Sequence, residues 1–137
     1  MKFHFSSKCW APVAALVLSA PAPAAPLPMD VPVVLGSVET VCTGIGEGKN
    51  DPRWKAYPIR VEFADAQAHY IAGAHVTLAD AAGATAAEFD CSGSWVMLSM
   101  PRGLYSVSAQ IGTATATEKF QTPATGQLRV VLRFPAL

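Results

Sequence analysis

The stretch Gly93-Ser94-Trp95-Val96-Met97-Leu98-Ser99-Met100-Pro101-Arg102-Gly103-Leu104-Tyr105-Ser106-Val107-Ser108-Ala109-Gln110-Ile111 carries the strongest structural signal in the chain. It reads as a strand, a tight turn around Pro101-Arg102-Gly103 and a second strand, which is the pattern of a β-hairpin. The alternation from Leu104 to Ile111 is the most regular in the sequence. Trp95 is expected in the core, as large aromatics are in sandwich domains.

Working outward, the same period of two recurs. Ile59, Val61 and Phe63 alternate with Arg60, Glu62 and Ala64, a half-buried strand. Val76 and Leu78 face inward from a strand over 74–80. A weaker strand runs from Thr85 to Cys91, and 113–122 alternates small and β-forming residues. Leu128, Val130, Leu132 and Phe134 alternate with Arg129, Val131 and Arg133 in the last strand. Turn signals fall at 65–68, 80–83, Gly112 and 123–126. The alanine-rich run 79–87 has helical propensity, but Gly83 in its middle and the strands on either side favour a hairpin. Seven or eight short strands spaced this way predict an all-β antiparallel sandwich over 36–137.

The first 24 of the 137 residues have the layout of a secretory signal peptide. Lys2, His4 and Lys8 precede an apolar run from Trp10 to Ala20, and Ala22-Pro23-Ala24 forms a small-residue cleavage site. The apolar run is too short to span a bilayer. Cys9 lies at its start and leaves with the peptide. The expected location is therefore periplasmic or secreted, with a proline-rich leader over 25–35 that runs into an edge strand. Removing Lys2 and Lys8 from the ten basic residues leaves eight against ten acidic ones. That balance argues against nucleic acid or anionic lipid as the main partner. No later stretch is apolar enough to cross a membrane. Two cysteines remain, Cys42 and Cys91. In an exported chain an even pair favours a disulfide over two free thiols or a metal pair.

Gly44-Ile45-Gly46-Glu47-Gly48-Lys49 has glycines at spacing two, but Asn50 follows Lys49 and no long helix follows. Neither a P-loop nor a dinucleotide fingerprint has that context. Asn50 to Tyr57 reads as one helical turn, with Asp51 as N-cap, Pro52 in the first helical position and Pro58 as the stop. Trp54 and Tyr57 lie three apart on one face, expected to plug an end of the sandwich or to offer an aromatic platform. Arg60, Arg129 and Arg133 share a sheet face if the first and last clear strands are neighbours. They would form a basic stripe for an acidic partner, or a solvated face with Glu62 as counter-charge. Trp54, Tyr57, Arg60, Arg129 and Arg133 are thus the candidate binding surface.

Catalysis has weaker support. His69 and His75 are the only histidines after export, and their spacing matches no structural zinc pattern. They define the alternative reading, a metal carrier or small hydrolase. Ser92-Gly93-Ser94 is not a nucleophile elbow, and the acidic residues are scattered along strands and turns. No cofactor is implied.

Several motifs in order resemble one family. Leu78-Ala79-Asp80 with Gly83, Gly93-Ser94-Trp95 with Leu98, then Met100-Pro101-Arg102-Gly103-Leu104-Tyr105-Ser106-Val107, and finally Gly126-Gln127 before Arg133-Phe134-Pro135, are similar to carboxypeptidase-regulatory-like domains. The resemblance spans roughly 36–134. It implies a prealbumin-like (transthyretin-like) sandwich with no activity of its own, accompanying peptidases or transporters or standing alone. Arg102 stands where the family commonly has a second proline, and Ser94 where it often has one. Purine-processing transthyretin-like enzymes end in a Tyr-Arg-Gly-Ser tail, which Phe134-Pro135-Ala136-Leu137 does not match. The expectation is a non-catalytic interaction module, its partner another periplasmic or envelope protein.

Overall fold

A computed structural model describes residues 26–135, so the expected signal peptide and its cleavage site lie outside the described residues. Among the described residues there are nine strands: β1 (Val33–Leu35), β2 (Val38–Thr43), β3 (Ile59–Asp65), β4 (Ala74–Asp80), β5 (Thr85–Cys91), β6 (Trp95–Ser99), β7 (Leu104–Ile111), β8 (Ala114–Gln121) and β9 (Leu128–Phe134). They form an all-β sandwich with one five-stranded sheet, β1-β2-β6-β3-β9, and one four-stranded sheet, β5-β4-β7-β8. All pairings are antiparallel except β3 with β9, where Arg60 lies beside Arg129 and Ala64 beside Arg133. The helical turn expected over 50–57 is a 3-10 turn, Pro52–Ala56, and a second 3-10 turn, Gly46–Asn50, precedes it in the glycine-rich segment.

The period of two decides which side chains meet. Ile59, Val61 and Phe63 of β3, Val130, Leu132 and Phe134 of β9, and Val96 and Leu98 of β6 all point between the sheets. Val76 and Leu78 of β4, Phe89 of β5 and Val107 and Ala109 of β7 meet them from the other side. Each large apolar side chain withdrawn from water in this way contributes on the order of 1.5–3 kcal/mol. Cys42 of β2 and Cys91 of β5 form a buried disulfide that joins the two sheets, with Cα atoms 5.5 Å apart. Leader residues also join the fold. Leu27 is buried, its N–H bonds to the Asp90 carbonyl, and Asp30 bonds to β2 through its N–H and its side chain.

The segment that opened the sequence reading is not a hairpin. β6 pairs with β2 and β3, whereas β7 pairs with β4 and β8, so the turn at 100–103 carries the chain from one sheet to the other. Both strands have their own inward apolar residues, and facing each other across the core buries more of these than lying edge to edge. The Tyr105 hydroxyl donates to the Pro101 carbonyl at 2.7 Å and holds the arch. The alanine-rich run does fold as the β4–β5 hairpin, with a bulge at Leu78/Ala79.

One connection shapes the surface. β2 and β3 both run antiparallel to β6 and flank it, so they run parallel to each other. A parallel pair cannot be closed by a tight turn and needs a crossover. The inner side of β6 is core, so residues 44–58 cross over its outer side.

Candidate functional site

The outer face of the five-stranded sheet is built by the residues that alternate with the core: Val41 and Thr43 of β2, Trp95 and Met97 of β6, Arg60 and Glu62 of β3, and Arg129, Val131 and Arg133 of β9. The crossover lays Trp54 and Tyr57 on it. They pack with Val41 and Met97 as a second apolar cluster, Trp54 only 3% exposed. The expectation that these rings plug an end of the sandwich is corrected: they cover a sheet face, because the chain must cross β6.

Local chemistry fixes the crossover in place. The Asp51 carboxylate accepts from the Arg53 N–H at 2.9 Å, a cap for the second 3-10 turn, and Pro52 occupies its first position. Side-chain and backbone hydrogen bonds from Arg53 hold Asp51 below its ordinary pKa. The Trp54 indole N–H donates to the Gly48 carbonyl at 2.7 Å. Gln127, just before β9, donates from Nε2 to the carbonyls of Trp54 and Tyr57 at 2.9 and 3.0 Å. Trp54 and Tyr57 meet edge to face at 6.0 Å.

Glu62 lies at the centre and is completely buried. It accepts from both guanidinium groups beside it. Arg129 donates from Nε to Oε2 and from Nη2 to Oε1, the latter at 2.9 Å, and Arg60 donates from Nε to Oε2 at 3.0 Å. Burial raises the Glu62 carboxyl, but hydrogen bonds from Arg129 and Tyr70 and the charges of Arg60 and Arg129 outweigh it, and the pKa lies below the ordinary value. The same carboxylate raises the pKa of Arg129. Glu62 is thus the counter-charge to Arg60 and Arg129, as the solvated-face reading had it, but the carboxylate itself is buried while the two arginines keep contact with solvent. Tyr70 and the Arg60 and Arg129 side chains shield the carboxylate from water.

Trp95 lies on this outer face as well. It was expected in the core, but Cys42 pairs with Val96 in the β2–β6 ladder, so Val96 faces the disulfide and Trp95 the opposite side. Its ring meets Tyr70 edge to face at 5.8 Å, and the Arg60 guanidinium lies 4.7 Å over it. Its indole N–H is buried and makes no hydrogen bond among the described residues. Between this ring and the crossover lies an open depression of about 290 Å³, lined by Lys49, Asn50, Asp51, Trp54, Lys55, Arg60, Trp95, Met97 and Gln127.

Of the candidate binding residues, Trp54, Tyr57, Arg60 and Arg129 meet on this face, and Arg133 sits further along β9 on the same side. Tyr70, Lys49, Lys55 and Gln127 were not among the candidate binding residues; no local pattern marks them as site residues, since chain crossing alone brings them here. The histidines go elsewhere. His69 sits in the turn after β3, its N–H and Nδ1 on the Asp65 carboxylate. His75 lies on the outer face of the four-stranded sheet between Asp90 at 2.7 Å and Glu88 at 2.8 Å. The Asp90 hydrogen bond raises the His75 pKa against a smaller effect of burial, with Glu88 adding to the rise. No group of three His, Cys, Asp or Glu side chains with metal-binding geometry occurs among the described residues.

Among the described residues no helix is long and apolar enough to cross a membrane. No protein-family model matches the chain, and no curated protein matches it.

Proposed function

We propose that the protein is a non-catalytic binding module of the periplasm or the cell exterior, whose receptor surface is the outer face of the five-stranded sheet. The observation that carries this reading is the depression bounded by Trp54, Trp95, Lys49, Lys55 and Arg60. It places Trp95 and Arg60, residue types enriched among the anchors of protein interfaces, beside two exposed lysines. The buried disulfide fits an oxidising, extracytoplasmic environment. The resemblance to carboxypeptidase-regulatory-like domains supports the same reading, as does the signal-peptide layout of 1–24. The partner is another periplasmic or envelope protein. The alternative built on His69 and His75 gains no support from geometry, because each histidine is held by its own carboxylates on a different part of the fold.

The test is capture from an exported-protein extract on the immobilised mature domain. The wild type is compared with an outer-face variant, Lys55→Glu/Arg133→Glu, and a variant of the other sheet, Thr115→Glu. A partner kept by the wild type and Thr115→Glu but lost by the outer-face variant supports the reading. A partner held equally by all three, or lost only by Thr115→Glu, refutes it.

A further inference from the structure

Two aromatic rings and three cations around one depression suit several ligand chemistries, and the arrangement of the cations decides among them. A sugar ring stacks on a bare aromatic face. Here Trp54 is buried beneath the Arg53 guanidinium, and the Arg60 guanidinium lies 4.7 Å over one face of Trp95. A ligand entering the depression meets guanidinium and ammonium groups.

Arg60 is the best placed of them. Its Nε is fixed to the buried Glu62 carboxylate, and its plane is held against Trp95. Its two terminal amino groups make no hydrogen bond to any described residue. A guanidinium anchored through Nε and one face presents its remaining edge as a ready fork for a carboxylate, with little side-chain freedom left to lose. Lys49 and Lys55 flank the same depression, exposed and without an ion-pair partner among the described residues. Asp51, the acidic residue of the lining, is already engaged by Arg53. The lining therefore carries an excess of positive charge, whereas the chain after residue 24 has eight basic residues against ten acidic ones.

We infer that this depression receives an acidic segment of a partner protein, one carboxylate seated on the free edge of Arg60 and its neighbours on Lys49 and Lys55. The inference rests on the binding-module reading above and names the chemistry of the partner. A bidentate carboxylate–guanidinium contact supplies orientation, and the lysines supply salt-sensitive attraction.

The experiment titrates the isotopically labelled mature domain with a blocked hexapeptide of alternating aspartate and glutamate, and with its asparagine/glutamine counterpart, at low ionic strength. Backbone amide shifts and tryptophan fluorescence report the site. The acidic peptide is expected to shift the amides of 48–51, 53–55, 60, 95 and 127, with an affinity that falls on adding 0.15 M salt, where the Debye length is about 8 Å. Arg60→Gln, which leaves Glu62 its two Arg129 bonds, is expected to weaken binding about tenfold. Lys49→Gln/Lys55→Gln, which touches no buried carboxylate, weakens it by a similar factor, and Arg102→Gln in the β6–β7 turn leaves it unchanged. Equal binding of the neutral peptide at these amides overturns the carboxylate inference and leaves the binding face standing. Acidic-peptide binding that maps to another face, or that ignores both variants, overturns the inference. Absence of any shift with either peptide overturns it as well, and the capture comparison then judges the face separately.

Discussion

Replacing Arg129 by methionine isolates the electrostatics on which the outer face depends. Glu62 is 0% exposed and accepts three hydrogen bonds from arginines, two of them from Arg129. Hydrogen bonds to a charged group contribute roughly 1.5–3 kcal/mol each. The Arg129 side chain is 54% exposed, so water replaces part of what is lost once it is gone, and the full sum does not apply. A loss of about 2–3 kcal/mol at neutral pH remains, because the stranded partner is the buried one. For a domain of this size that corresponds to a fall in Tm of about 8–12 °C. The pH dependence tests the cause. In the wild type the folded pKa of Glu62 is depressed, so its contribution is present above the unfolded value near 4.5 and is lost as pH falls through the folded value. Without Arg129, burial dominates and the folded pKa rises above the unfolded one. The variant's penalty is then full at pH 7 and shrinks as pH falls toward 4–5, where Glu62 takes up a proton in the fold. Thermal melts of wild type, Arg129→Met and Arg129→Met/Glu62→Gln from pH 4 to 8 measure this. The double variant is expected to regain part of the loss at pH 7. A penalty below about 0.5 kcal/mol, or one that does not change with pH, refutes the reasoning.

Further outcomes follow from other parts of the fold. Reducing Cys42–Cys91 opens a closure of 49 residues in sequence, and on the chain-entropy model it lowers stability by about 4 kcal/mol; urea melts with and without reductant measure it. The raised pKa of His75 makes its contribution complete below about 6.5 and lost as pH rises through its folded value; the wild type should lose Tm between pH 6 and 8 more steeply than His75→Gln. Thr40 has a buried hydroxyl with no partner among the described residues, so Thr40→Val is expected to raise stability by roughly 1 kcal/mol in the same melts. Gly44 has φ of +101°, and a Cβ there would lie 2.6 Å from Ser94 Oγ and from the Trp95 N atom, so Gly44→Ala is expected to lower stability by more than about 2 kcal/mol.

Much of the architecture was legible in the residues themselves. The alternation of Ile59-Val61-Phe63 and of Leu128-Val130-Leu132-Phe134 fixed which side of each strand is core, since a period of two leaves no freedom once one face is apolar. Asp51-Pro52 marked the start of the turn that carries Trp54, because capping and the proline φ are local. The same parity placed Arg60, Arg129 and Arg133 on one side as soon as β3 and β9 were neighbours. The β6–β7 segment shows the limit. A strand-turn-strand pattern is the same whether the two strands pair or face each other across a core, because the choice depends on what else each strand can bury.

The sequence by itself determined an all-β sandwich, most of its inward residues and its local turns, all properties of a period or of a few adjacent residues, while the even cysteine count of an exported chain favoured the Cys42–Cys91 bridge. Only the tertiary structure decided that β2 and β3 flank β6. That order forces 44–58 across the outer face, sets Trp95 outside the core, buries Glu62 between two arginines and leaves one edge of Arg60 free. Strand order is a long-range property, set by how the whole core closes, and no local spacing records it.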